Sequence, residues 1–340
     1  MCVIYDTYKM STARSFSFIC LVLAVVGGVS GREYTVSGVS SGAFMAIQNH
    51  VAYNKDVVGV AAIAGGPFFC AQAKLEIALH ACMVEPEFIS VEELVAVTYS
   101  TYATTGTIDS PAYTAGDKIW LFSGVQDHKV NSGVVAKAYT YYTGIGADES
   151  DMELRNDIQA AHAMVTDNFG NDCTYFGSPY IDNCQFDAAG HLLSHLLGKE
   201  LKPREKAPES NIVSFSQSKY GIFNESVGFA ENGYAYVPTG CQNGNMQSCD
   251  LHVAYHGCLQ APENINTTFV LHAGYNEWAE ANNVVVIYPQ AKSNALNPEG
   301  CWDWWGFTGP AYASKVGLQL QVIGKMVEDW GSRSSSSSLI

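Results

Sequence analysis

The sequence predicts an α/β fold with a mainly parallel central sheet, and three observations carry that reading. Short apolar runs rich in β-branched residues recur along the chain, segments of helical periodicity lie between most of them, and the first run ends in a glycine–serine–glycine turn that opens directly into a helix.

The strand-like runs are EYTVSGV (33–39), VVGVAAIAGG (57–66), KIWLFSGV (118–125), GYAYVP (233–238), DLHVAYHG (250–257) and NVVVIYPQ (283–290). Helical patterns fall at 43–53, 91–104, 132–142, 187–197, 268–281 and 317–330. Runs that are apolar on successive residues suit strands buried on both faces, as a parallel sheet between two helical layers requires. In such sheets chemistry collects at the carboxyl ends of the strands. The polar segment 203–230, with Pro203 and Pro208, reads as a surface connection, and the serine-rich end 332–340 as a disordered tail. No internal repeat is visible.

Bulk properties narrow the function. The 340 residues are 47% hydrophobic, ample for one large catalytic domain over 32–331. A formal charge of −15 with no basic cluster repels nucleic acid and anionic lipid. At the start, Lys9 and Arg14 precede the apolar stretch FSFICLVLAVV (16–26) and the small residues GGVSG, so 1–31 reads as a secretory leader cleaved near Ser30 or Gly31, with Met10 as an alternative start. The apolar run is shorter than the ~20 residues a bilayer requires, so no stable anchor is expected.

Beyond the leader stand Cys70, Cys82, Cys173, Cys184, Cys241, Cys249, Cys258 and Cys301. An even count in an exported chain implies disulfides, although sequence leaves their connectivity open. Short-range pairs suggest themselves, Cys70 with Cys82, Cys173 with Cys184 and Cys241 with Cys249, which leaves Cys258 with Cys301. With no CxxC spacing, a structural zinc is not expected, and nothing calls for a cofactor. Asn224 and Asn266 head glycosylation sequons.

The turn in TVSGVSSGAF sets Ser40 between Gly38 and Gly42 at GxSxG spacing. A strand, a glycine-flanked apex and a helix are the parts of a nucleophile elbow, so Ser40 is the expected nucleophile, and the neighbouring Ser41 supplies an oxyanion N–H. Ser41 is the rival nucleophile, but it lacks the central position. A serine hydroxyl needs a histidine base and an orienting carboxylate. Asp127 falls just beyond the strand of WLFSGVQDHKV, where an acid of this fold class sits; its plainer reading is a cap for the helix near Asn131. His162 follows in chain order, in a loop-forming stretch. His128 adjoins the acid and cannot easily face it. His191 and His195 lie four apart on a helix, but without the Glu of HExxH they read as a helix face rather than a metal pair.

The second oxyanion donor stands in an unexpected place. α/β-hydrolases usually take it from an HG-type loop well before the elbow. Here the candidate, LHVAYHGCLQ (251–260), comes after Ser40, Asp127 and His162. Circular permutation explains the order: strands that would open such a fold have moved behind it, so that a triad half (32–202) precedes an oxyanion-loop half (203–331) with spatial neighbours unchanged.

VSGVSSGAFMA, LFSGVQD, HVAYHGCLQ, GYNEWAEANNVVVIYPQA and NPEGCWDWWGF together resemble the extracellular poly(3-hydroxybutyrate) depolymerases, and among them the single-domain, circularly permuted fungal type. The likeness runs over roughly 35–331. It implies a circularly permuted α/β-hydrolase in which Ser40 is nucleophile, Asp127 acid and His162 base, with the N–H groups of Ser41 and Cys258 as oxyanion hole. It also favours the same four disulfide pairs, the Cys258–Cys301 bridge pinning the oxyanion loop beside the tryptophan segment. Two departures stand out: the stretch between YPQA and NPEGCWDWW is short, and Trp305 with Phe307 varies the aromatic pattern after CWDW.

A serine esterase acting through an acyl-enzyme on a short-chain polyhydroxyalkanoate follows. It is expected to be a monomer, with no separate polymer-binding module. An apolar polyester is held by aromatic side chains, for which Trp302, Trp304, Trp305 and Tyr288 are the candidates, with burial in the core as their alternative, the reading that suits Trp302 and Trp304 better. Two other readings stand beside it: an esterase for feruloyl or acetyl groups on polysaccharide, and a non-catalytic binding protein on a hydrolase scaffold.

Overall fold

The apolar runs of the sequence come together as the inner strands of one eight-stranded sheet. The structure, a computed structural model, describes residues 32–243 and 246–333; the leader 1–31 and the tail from 334 onward lie outside the described residues. In chain order the strands are β1 (Tyr34–Val39), β2 (Val57–Ile63), β3 (Lys118–Phe122), β4 (Met152–Arg155), β5 (Met164–Thr166), β6 (Asn171–Asp172), β7 (Ile181–Asn183), β8 (Ile212–Ser216), β9 (Asn232–Tyr236), β10 (Asp250–Tyr255) and β11 (Val284–Tyr288). The large sheet runs β4-β3-β2-β1-β10-β11-β9-β8, and β5, β7 and β6 form a small parallel sheet of their own. From β4 to β11 every pairing of the large sheet is parallel; β9 and β8 are antiparallel to their neighbours.

Alternation along each inner strand builds two cores. Ile119 and Leu121 of β3, Val253 and Tyr255 of β10, and Val285 and Ile287 of β11 face one apolar cluster. Trp120, Phe122, Ala254, Val284, Val286 and Tyr288 face the other. The first cluster is closed by the helices Ser41–Ala52, Ser132–Gly144 and Leu318–Ser332, the second by Ala188–Leu196 and Tyr275–Asn282. Because both strand faces are covered, apolar residues could follow one another without alternation in the sequence.

Topology bears on the permutation directly. Read from β8, the spatial order is 8-9-11-10-1-2-3-4. If the chain is imagined to begin at β8 and to run through β11 into β1, β10 becomes the third strand and β1 the fifth. The loop after β10 is then the loop after strand three, from which an α/β-hydrolase draws its second oxyanion donor. The imagined junction is short: a Cβ built on Gly331 would lie 3.4 Å from the Cβ of Arg32.

The expected elements are found with several differences. The pattern 91–104 is α-helical over Val91–Val97 and continues as a π-helical turn, Thr98–Ala103. The pattern 268–281 is divided at Gly274, whose φ of 89° stops one helix and starts the next. The last helix reaches Ser332, into the stretch expected as tail. Five strands give no apolar run: β4 and β8 are edge strands whose residues, Phe215 apart, are exposed or half-buried, and β5, β6 and β7 are two or three residues long. The segment 203–230 therefore holds an edge strand, not only a connection. The cystines are Cys70–Cys82, Cys173–Cys184, Cys241–Cys249 and Cys258–Cys301. Asn224 and Asn266 are exposed. Among the described residues no helix is long and apolar enough to cross a membrane.

Candidate active site

Ser40 stands between β1 and the helix Ser41–Ala52 with φ 57° and ψ −123°, a conformation that L side chains rarely adopt. Its N–H donates to Ile63 O of β2 (2.9 Å), and its carbonyl accepts from Ala43 N–H (2.9 Å) and Phe44 N–H (3.2 Å), so the strained apex is fixed from both sides. The flanking glycines are required by close approach. A Cβ on Gly38 would fall 2.1 Å from Gly42 O, and one on Gly42 would fall 2.4 Å from His256 O and 2.5 Å from Tyr255 O. The second pair of distances also says where the elbow rests: against the end of β10, the neighbour of β1 in the sheet.

That end continues as the loop 256–260. A Cβ on Gly257 would lie 3.3 Å from Ser40 Cβ, which puts the loop directly beside the apex. The buried His256 accepts at Nε2 from Ala291 N–H (3.0 Å), so its proton sits on Nδ1, which donates to Gly257 O (2.7 Å). Burial lowers the pKa of this imidazole to about 4, so it is neutral at pH 7. The Cys258–Cys301 bridge joins the loop to the tryptophan segment, whose Trp302 N–H donates to Ser41 Oγ (3.3 Å). Ser41 is thereby buried with its hydroxyl engaged, and its backbone occupies the first turn of the helix.

Asp127 lies beyond the end of β3. Its Oδ1 accepts from Lys129 N–H (2.8 Å) and Val130 N–H (2.9 Å), while Oδ2 is 2.8 Å from His162 Nδ1. The following helix is capped by Asn131 instead, whose side chain accepts from Gly133 N–H. A carboxylate can only accept, so His162 carries its proton on Nδ1 and leaves Nε2 as a base. His162 reaches this place because Ala161 N–H donates to Cys173 O (2.8 Å) and Met164 N–H donates to Tyr180 O (2.9 Å), the two sides of the stretch clasped by Cys173–Cys184.

One residue that sequence reasoning did not single out links the two sides. Buried Gln260 accepts from Gly257 N–H at Oε1 (2.7 Å) and donates from Nε2 to Tyr180 O (2.9 Å) and Pro179 O (3.1 Å). Tyr180 O thus serves both Gln260 and the backbone two residues past His162. The signal was present in HGCLQ, where a glutamine follows a glycine-bearing loop, but nothing local named its partners some 80 residues away.

The expected aromatic contacts need correction. Trp302 and Tyr288 are fully buried and Trp304 nearly so. Trp302 packs edge-on against Phe229 and Tyr255, Trp304 stacks on Phe44 at 4.3 Å, and the Tyr288 hydroxyl donates to Asn276 Oδ1. These three are core residues because each ring has its partners inside the fold; Trp305, beside Phe307, is the candidate that stays partly open. The loop that carries both is organised by Asp303, a buried carboxylate accepting from the N–H groups of Gly306, Phe307 and Thr308 and from Thr308 Oγ1. Exposed apolar side chains the sequence did not flag are Val125, two residues before Asp127, and Tyr175 and Phe176, of which the Phe176 ring stands 6.3 Å from that of His162.

His191 and His195 do not converge on a metal: His195 Nε2 donates to Asp151 O, and His191 packs by Phe186. The one cluster of ligand type among the described residues joins Cys258, Cys301 and Glu299, and its two sulfurs form a disulfide that offers no thiolate.

No protein-family model matches the chain. A poly(3-hydroxybutyrate) depolymerase of Delftia acidovorans is 43% identical over 303 residues, 88% of this chain, which spans 60% of the length of that relative. A polyhydroxybutyrate depolymerase of Talaromyces funiculosus is 33% identical over 313 residues, covering 87% of this chain and 88% of its own length. Among solved structures, a PHB depolymerase from Penicillium funiculosum superposes with a TM-score of 0.78 at 31% identity, and a serine-to-alanine PHB depolymerase complexed with an R3HB trimer superposes at 0.79 with the same identity. Each covers 89% of this chain and 97% of its own.

Proposed function

This chain belongs to the polyhydroxybutyrate depolymerase family, and from that premise we propose that it is an exported serine esterase that cleaves the ester bonds of poly(3-hydroxybutyrate) or a related short-chain polyhydroxyalkanoate. The observation that carries the reading is the Asp127–His162 pair, 2.8 Å apart, in a fold that sets a strained serine apex against the 256–258 loop.

In this mechanism His162 Nε2 takes the proton of Ser40 as Oγ attacks the ester carbonyl. The N–H groups of Ser41 and Cys258 receive the developing oxyanion, each donor worth about 3 kcal/mol. Collapse breaks the ester C–O bond, and the leaving alkoxide takes the proton from His162. Water then attacks the acyl-enzyme by the same route. Asp127 holds the Nδ1–H tautomer throughout, and its two backbone hydrogen bonds keep the carboxylate in place. Export is part of the reading, since four cystines suit an oxidising compartment.

A film of short-chain polyhydroxyalkanoate incubated with wild type and with Ser40→Ala is the test, with soluble products identified and a fluorophosphonate probe run in parallel. Hydroxy-acid release and labelling by wild type alone are expected. Equal labelling of both proteins would remove Ser40 as nucleophile, and rapid turnover of feruloyl esters with an untouched film would move the substrate to polysaccharide esters.

A further inference from the structure

Beside the candidate triad lies a cavity of about 210 Å³ lined by Gln126, His128, Lys129, Ala161, His162, Thr174 and Phe176. His162 borders it, whereas Ser40 and the 256–258 loop do not. One wall is apolar: the Phe176 ring stands 6.3 Å from the His162 ring. Over the same ring, at 5.5 Å, sits the Lys129 ammonium. Among the described residues no ion pair employs Lys129, in a chain whose formal charge is −15. A free ammonium on an aromatic floor beside the base of an acidic protein is suited to an anion with an aliphatic body.

The reaction direction says which anion. When Ser40 takes the acyl carbon, the ester C–O bond breaks and the departing alkoxide collects its proton from His162, so the departing fragment lies on the histidine side. In a polyester of a hydroxy acid, the alcohol side of any ester bond leads toward the carboxyl end of the chain. The fragment released from the last bond is a single hydroxy acid, with a free carboxylate a few bonds from its new hydroxyl.

We propose that the cavity between Lys129, Phe176 and His162 binds the carboxyl-terminal hydroxy-acid unit of an oligomer, Lys129 pairing with the carboxylate and Phe176 covering the aliphatic carbons. The proposal rests on the esterase reading above. The cavity is smaller than the pockets that hold drug-sized ligands and suits one or two short units. A Lys in open water supplies a modest pair, whereas one set over a ring beside a partly enclosed anion supplies more. Chain ends and soluble oligomers are then trimmed from the carboxyl terminus, while interior bonds are cut without help from Lys129.

The test compares kcat/KM for the dimer and trimer of (R)-3-hydroxybutyrate as free acids and as methyl esters, with release of the terminal unit followed by chromatography. Wild type is expected to favour the free acids by about three- to tenfold. Lys129→Met brings that ratio close to one, Lys129→Arg retains it, and raising salt to about 0.5 M shrinks it in wild type. A wild-type ratio of one, or a preference that survives in Lys129→Met, overturns the subsite and leaves the esterase reading standing. Failure of wild type to hydrolyse either form overturns both.

Discussion

The two sides of the candidate site are built in opposite ways. On the serine side, everything hangs on the sheet: β1 and β10 are neighbours, Gly42 lies against the carbonyls of Tyr255 and His256, and the loop beyond is held by the buried His256 and a cystine. On the histidine side, His162 sits in a stretch whose strands are two or three residues long, clasped by Cys173–Cys184 and fringed by exposed Tyr175 and Phe176. On the proposed reading, the groups that meet one reacting oxygen are placed by backbone packing, where a shift is costly. On the same reading, the groups that meet the departing chain are placed by a loop, where a change of substrate can be accommodated.

The largest effect that sharpens this contrast is expected from Asp127→Asn. The asparagine oxygen can still accept from Lys129 and Val130, so the local turn survives, but its amide faces His162 Nδ1 with a proton. The imidazole is then held in the wrong tautomer, with Nε2 protonated and unable to serve as base. A fall of about 10⁴-fold in kcat at nearly unchanged melting temperature is expected. A loss of less than tenfold would mean that His162 is not oriented from this carboxylate.

Gly42→Ala breaks the serine side. With backbone oxygens 2.4 and 2.5 Å from the new Cβ, the helix must move off β10, and no side chain is available to yield. About 3 kcal/mol of stability should go, at the upper end of the cost of overpacking, and esterase activity should fall with it. Denaturant unfolding with unchanged m reads the first effect, and turnover of a soluble ester the second. A Gly177→Ala control on the histidine side meets first the Tyr175 side chain, itself exposed and free to yield, and should cost far less.

How much of this was legible in the sequence follows the same division. The elbow could be read because its parts are contiguous, and the inner strands because burial on both faces leaves unbroken apolar runs. The permutation was visible too, as an HG loop standing after His162 where one was expected before Ser40. What could not be read depends on distant partners. β8 and the three short strands near His162 carry no periodicity to detect. Trp302, Trp304 and Tyr288 have the composition of a binding surface; the sequence already leaned to the core for the two tryptophans, and the ring partners Phe44, Phe229, Tyr255 and the acceptor Asn276 show all three to be core. Gln260 could not be assigned without knowing that Tyr180 comes to it.

Gln260 is where the two sides communicate, so its variants measure how far one depends on the other. Gln260→Glu keeps an acceptor for Gly257 N–H and loses the donor to Pro179 and Tyr180. Gln260→Leu loses both. If alignment across the site matters, Gln260→Glu should lower kcat by about tenfold and Gln260→Leu by about 10²-fold, with KM nearly constant, since misplacement by about 1 Å costs on that scale. Equal, small losses in both variants would show that each side is placed without the other.

The smallest expected effect concerns pH, and here the two sides differ in sign. His256 is neutral and buried, with a folded pKa of about 4 against an ordinary 6.5, so the unfolded chain binds the proton more readily between those values. Stability on the serine side is therefore full above 6.5 and is lost as pH falls toward 4. His252, buried between Thr35 and Ser37 with its pKa lowered to about 3, acts in the same direction. Asp182 of β7, buried beneath the histidine side, is opposite: desolvation raises it to about 7, against hydrogen bonding from Asn171 and the charge of His162. The folded chain then holds the proton more tightly than the unfolded one, so stability is full below the ordinary carboxylate range and is lost as pH rises through 7. Asp182→Asn removes only this second loss, keeping an oxygen for Asn171. The variant should melt above wild type at pH 8, with the gap narrowed at pH 5 and closed only below the ordinary carboxylate range, while the acid-side decline set by the two histidines stays the same in both proteins. A gap that persists unchanged at pH 5 would assign the gain to packing rather than to an ionised carboxylate under the histidine loop.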